Sequence, residues 1–176
     1  MKVNYDNLRT GDIVCTTGRG FFGRVISRIT GSRTTRSDKA THVGIVVRWG
    51  GQCFIAEMLT KGLEINTFRR YTEKKRRWIL EVNRPVNLTL SKRNKVLEAV
   101  SKDYEEGLSY DYRGVLSFLI PKIQEVPSKF FCSEYIAHLL EHEAGLDLAW
   151  EWSRYAPTDF QIDSKHVDME SVKWIL

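Results

Sequence analysis

Long apolar runs are missing from this chain. Nowhere in its 176 residues does a window approach the roughly 18 consecutive apolar residues of a membrane span. The opening Met1-Lys2-Val3-Asn4-Tyr5-Asp6-Asn7 has no apolar core of a secretory signal. These absences predict a cytoplasmic location and no transmembrane segment. Cysteine is scarce as well. Cys15, Cys53 and Cys132 are the three in the chain, and they form neither a CxxC pair nor an even set. That argues against a disulfide framework and against a thiolate zinc site. No repeat, low-complexity tract or linker divides the sequence, so 1–176 is expected to be a single domain with a proper core.

Charge is mildly unbalanced, with 27 Lys and Arg against 22 Asp and Glu, a net +5. The excess concentrates in 24–39 and in Lys74-Lys75-Arg76-Arg77. Such a bias suits an anionic polymer, an anionic membrane face or nucleic acid, but each cluster taken alone reads as a solvated loop. No interleaving of aromatic and basic residues and no recognition motif accompanies them, so no nucleic-acid partner is expected.

The chain reads as mixed α+β. Ile13-Val14-Cys15-Thr16 is a short buried strand after the turn at Leu8–Asp12. Phe21, Phe22, Val25, Ile26 and Ile29 recur at helical spacing, which predicts a helix over 21–30 and then a polar loop over 31–40. Residues 42–49 and 52–59 flank Gly50-Gly51, a two-residue hairpin signal, because both central positions of a type I′ turn need positive φ. Leu63–Phe68 and Trp78–Val82 extend the pattern to a curled antiparallel meander. Thr89 or Ser91 caps a helix to about Glu106, with Val96, Leu97, Val100 and Tyr104 inward and Gly107 at its end. A short helix is expected over 113–120, a loop over 121–129, and a helix from Cys132 to Ala144 with Gly145 behind it. Val172–Leu176 is expected as a last strand.

Three residues carry chemistry. Cys132 opens a helix, where unpaired N–H groups favour thiolate over thiol and so make the sulfur nucleophilic. His42 stands at the mouth of a strand. With Gly50 and Gly51 in the turn, Trp49 faces Gln52, Gly44 faces Glu57, and His42 and Glu57 become diagonal neighbours on one face, about 7–8 Å apart at Cα. A one-residue bulge would send Glu57 to the opposite face. Cysteine, histidine and carboxylate are the parts of a papain-type nucleophilic site. Cys15 and Cys53 fall inside strand patterns and read as core. His138 and His142, spaced i, i+4, would permit a metal pair; beside Glu134 and Glu141 they read instead as a wet helix face. Trp150, Trp152 and Tyr155 read as core cover.

Several stretches in order, Leu8–Ile13 (LRTGDI), Thr41–Val46 (THVGIV), Phe54–Met58 (FIAEM), Leu108–Tyr112 (LSYDY) and Phe130–Leu140 (FFCSEYIAHLL), resemble the circularly permuted, papain-like amidases of the NlpC superfamily, YiiX type. The resemblance runs over roughly 8–160, with the histidine hairpin first and the cysteine helix last. It implies a small curved antiparallel sheet packed on helices, with Cys132 as nucleophile, His42 as base and Glu57 orienting the imidazole. It also implies a thioester mechanism without cofactor or metal, acting on a peptide or isopeptide-like amide such as a cell-wall fragment. Tyr110 and the 121–129 loop are the expected substrate cleft. The alternatives are a lipid-ester thioesterase or acyltransferase on the same fold, and a binding module with an inactive site. The oligomeric state is left open.

Overall fold

Gly50 and Gly51 sit at φ 55° and 81°, and the hairpin they close has the register that this turn dictates. Trp49 pairs with Gln52 and Ile45 with Ala56. In the computed structural model of the chain, residues 2–18, 37–73, 77–109 and 131–175 are described. The strands are β1 (Ile13–Gly18), β2 (His42–Trp49), β3 (Gln52–Leu59), β4 (Gly62–Asn66), β5 (Arg77–Pro85) and β6 (Met169–Ser171). The helices that matter here are α1 (Arg69–Glu73), α2 (Leu90–Glu105) and α3 (Cys132–His138). The fold is α+β. Among the described residues six strands form one open antiparallel sheet in the order β4-β3-β2-β1-β5-β6.

The expected meander holds only for β1 to β4. β5 does not pair with β4; it crosses back to β1, with Val14 opposite Val82. Phe68, read as the end of a strand, is instead fully buried just before α1, a helix that the basic character of 69–77 concealed. The last strand is Met169–Ser171 rather than 172–176, where an isolated bridge joins Val3 to Ile175.

Alternation along the strands builds two apolar layers. One face carries Val43, Ile45 and Val47, covered by Val96 and Val100 of α2 and by Tyr135 and Ile136 of α3. The other carries Val14, Val46 and Ile55, covered by Phe68, Tyr71 and Trp174. Thr89 caps α2, its Oγ1 accepting from the Lys92 N–H at 3.4 Å. Tyr104, expected inward, is exposed in the last turn of α2, beyond the buried Val96 and Val100. The cysteine helix runs as α3 and then a π turn, Leu139–Glu143, to its cap at Ala144, with Gly145 at φ 62°. The expected helices over 21–30 and 113–120, and the loop over 121–129, lie outside the described residues. No helix among the described residues is long and apolar enough to cross a membrane.

Gly44 is where two strands approach closely beside the candidate site. A Cβ there would lie 2.6 Å from Ile55 Cγ2, 3.1 Å from the Ala56 carbonyl and 3.2 Å from Glu57 Cβ. Overpacking of this kind costs about 1–3 kcal/mol. Gly44→Ala is expected to lower the urea midpoint of unfolding accordingly. An unchanged midpoint would mean that β3 yields freely.

Candidate active site

The sulfur, the imidazole and the carboxylate named above come together at one end of β2. His42 is the first residue of that strand. Its Nε2 lies 2.7 Å from Glu57 Oε2, with Glu57 wholly buried and His42 nearly so. The Cys132 side chain is the other group that acts on the ring, through its charge and hydrogen bonding. With Nε2 committed to Glu57, Nδ1 is the nitrogen left for sulfur. His42 and Glu57 belong by alternation to the Val46 face, whereas Cys132 belongs to the layer over Val43. The strand end is the place where two such layers can touch, so the first position of β2 suits the histidine.

Four neighbouring positions hold α3 still. The Phe131 N–H donates to Glu134 Oε2 at 3.1 Å, closing the helix start. Ser133 Oγ donates to the Tyr155 carbonyl at 2.7 Å. Tyr135 Oη donates to Asp103 Oδ2 on α2 at 3.0 Å. Glu134 is therefore buried, not on a wet face with His138 as its spacing suggested; its carboxylate is drawn in by an orphan N–H at the helix start. The approach to His42 is clamped separately. Gln161 Oε1 accepts from the Ala40 N–H at 2.9 Å, and its Nε2 donates to the Asp38 carbonyl at 3.1 Å. The segment from Tyr155 to Gln161 thus contacts both the cysteine helix and the entry to the histidine strand. Within it Pro157–Phe160 is a 3-10 turn where a plain turn was expected.

Glu57 is the hub of a second set of bonds. Tyr71 Oη donates to Oε2, the oxygen that also meets His42. Asn66 Nδ2 donates to Oε1 at 3.0 Å, and Arg70 Nη1 holds Asn66 Oδ1 at 2.7 Å and Glu64 Oε2 at 3.1 Å. Sequence reasoning missed Tyr71 and Asn66. Two signals were present. Phe68 and Tyr71 are apolar positions one helical turn apart in a polar stretch. The β3–β4 register sets Asn66 opposite Ile55, on the face of Glu57.

The electrostatics follow from this packing. Burial works against charge on His42, but Cys132 and Glu57 outweigh it and raise the imidazole from 6.5 to about 9. Burial likewise pushes the Cys132 thiol up, and His42 reverses this, helped by the N–H groups of Val43 and Ser133, so that the thiol lies below its usual range. Burial opposes the Glu57 charge too, and the bonds from His42 and Tyr71 hold its carboxyl below the usual range. Each shift thus runs toward the charged form: thiolate, imidazolium and carboxylate.

Cys15 and Cys53 are buried in the core, Cys15 donating to the Phe160 carbonyl at 3.4 Å. The His138 and His142 rings pack on each other with centroids 4.8 Å apart, and Trp152 meets His138 edge-on. Among the described residues no group of three or more His, Cys, Asp or Glu is arranged to hold a metal ion. Tyr110, expected in the substrate cleft, lies outside the described residues.

No family model and no curated protein matches the chain. Among solved structures, the fold is similar to that of the metalloprotein yiiX from Escherichia coli O157:H7, DUF1105. The TM-score is 0.61 at 15% identity, over 96% of this chain and 99% of that one. At that identity the likeness is one of fold.

The sign of the pH dependence follows from these shifts. His42 is raised on folding, so its contribution to stability is complete below its ordinary 6.5 and is lost as pH rises through about 9. Glu57 is lowered, so its contribution is complete above its ordinary 4.5 and is lost as pH falls through its folded value. The Glu57–His42 pair therefore contributes most between 4.5 and 6.5. The difference in urea unfolding free energy between wild type and Glu57→Gln should be largest there and shrink toward pH 9. A difference that does not vary with pH would contradict the ion pair.

Proposed function

We propose that the chain is a cysteine-dependent hydrolase of amide bonds, peptide or isopeptide-like, on a circularly permuted papain-like fold in one domain. The observation that carries this reading is the buried imidazole of His42, paired with Glu57 at 2.7 Å and acted on by the Cys132 side chain. A structural cysteine has no use for a partner that draws off its proton, whereas a nucleophile requires one.

In the first step the Cys132 thiolate attacks the amide carbonyl carbon, and the carbonyl oxygen takes the charge. The Cys132 backbone N–H, at the first turn of α3, is a natural donor for that oxyanion. Collapse of the tetrahedral intermediate breaks the C–N bond, and His42 gives its proton to the departing amine. A thioester on Cys132 remains. Neutral His42 then takes a proton from water, whose oxygen attacks the thioester carbon. The acid leaves, and the thiolate and imidazolium are restored. Glu57 holds the imidazole in one orientation throughout and balances its charge in both steps.

An activated ester tests the chemistry without knowledge of the natural substrate. With p-nitrophenyl acetate, wild type should release a burst of nitrophenolate at pH 7 and carry acetyl on Cys132, located by peptide mass. His42→Ala should lose the burst by about a hundredfold or more, the scale of general acid–base assistance. Release of amine from acyl-peptide substrates would support the amidase reading, and release of fatty acid alone would move it to lipid esters. Absence of acetyl on Cys132, or equal labelling of Cys15 and Cys53, would leave a binding module with an inactive site.

A further inference from the structure

We propose that Tyr71 is a positioning residue that limits how tightly His42 holds its proton, because the phenol and the imidazole share one oxygen of Glu57. The proposal rests on the reading of Cys132 and His42 as a catalytic pair, and it concerns how that pair is tuned.

The geometry is specific. Tyr71 Oη and His42 Nε2 both meet Glu57 Oε2, while Asn66 Nδ2 takes Oε1. The carboxylate is wholly buried, and its charge is spread over three donors rather than facing the imidazole alone. The groups that act on it are His42 from β2, Tyr71 and Arg70 from α1 and, through Asn66, the Arg70–Glu64 pair at the end of β4. His42 in turn feels Cys132 from α3.

A donor to an anion lowers its affinity for a proton. On the oxygen shared with His42, the phenol therefore weakens the pull of Glu57 on the imidazolium. This matters to the chemistry, since His42 must surrender its proton to the leaving group, and a group poised far above the working pH is a poor acid. His42 already stands at about 9 with Tyr71 in place. A Glu57 freed from Tyr71 would hold that proton more firmly still. Tyr71 is 4% exposed and seated beside Phe68 and Val46, so Tyr71→Phe removes the hydroxyl and keeps the ring.

The sign of the change separates tuning from mere support. If Tyr71 only propped up the carboxylate, its loss would let Glu57 swing away, and His42 would fall toward its ordinary 6.5. If it draws charge from the shared oxygen, His42 must rise. The test is the pH titration of the His42 ring by 15N–1H NMR on the whole chain, in wild type and Tyr71→Phe. An upward shift of about half to one pH unit is expected, the size of one hydrogen bond. No shift, or a downward shift, would overturn the proposal. Should Tyr71→Phe fail to fold, 3-fluorotyrosine at position 71 decides the matter. Its more acidic hydroxyl keeps the bond and strengthens it, so His42 must move down, and a shift upward or none overturns the idea. Iodoacetamide labelling of Cys132 in the same wild-type samples reports on the catalytic pair separately. If Cys132 labels no faster than Cys15 or Cys53, that reading fails whatever His42 does.

Discussion

A buried imidazole between a sulfur and a carboxylate is the constraint on which the rest of this structure depends. Each of the three groups, taken alone, would be driven to its neutral form by burial. Together they favour charge, because the proton that leaves the thiol has a place to go and the carboxylate compensates the ring that receives it. The arrangement needs close contact. Coulomb attraction in a poorly screened interior repays desolvation only when the geometry is good and the remaining lone pairs are occupied. Glu57 meets that demand with three hydrogen bonds.

Much of the surrounding architecture can be understood as the support of that contact. The thiol and the imidazole come from different layers, so neither sheet pairing nor helix packing alone would hold them in register. The Tyr155–Gln161 segment links the two, with one end at Ser133 and the other at the approach to His42. The Phe160 carbonyl in its middle accepts from Cys15 Sγ and Asn83 Nδ2, which ties it to β1 and β5. Away from the site, Asp12 is wholly buried and paired with Arg84 at 2.8 Å and Arg93 at 3.5 Å. It pins the turn before β1 to β5 and α2.

The β2–β3 hairpin was legible in the sequence because two glycines define a turn, and a turn defines a register by arithmetic. From that register alone His42 and Glu57 fall on one face. The cysteine helix was legible from its apolar period and its end from Gly145 behind it. Position in the sheet was not legible where partners are remote: β5 lies beside β1 because the strands pair in space, and nothing local in Trp78–Val82 states a preference between β1 and β4. Tyr71 was hidden by charge, since Arg69, Arg70 and the lysines after it read as a solvated loop while a single turn of helix turned its one ring inward. Glu134 was misplaced because helical spacing reports the face of a residue and not an unpaired N–H waiting at the helix start. The meeting of Cys132 with His42 could not come from spacing at all. It came from resemblance; in the structure the two side chains act on one another's ionisation.

On the proposed reading the Cys132 sulfur is already a thiolate in the resting protein, and the thiolate absorbance near 240 nm reads that state directly. The measurement is the difference in this absorbance between wild type and Cys132→Ser from pH 4 to 10. One thiolate's worth of absorbance is expected by pH 7, and none in a His42→Ala background. Thiolate that appears only near the ordinary 9.0 of a cysteine, with or without His42, would contradict it.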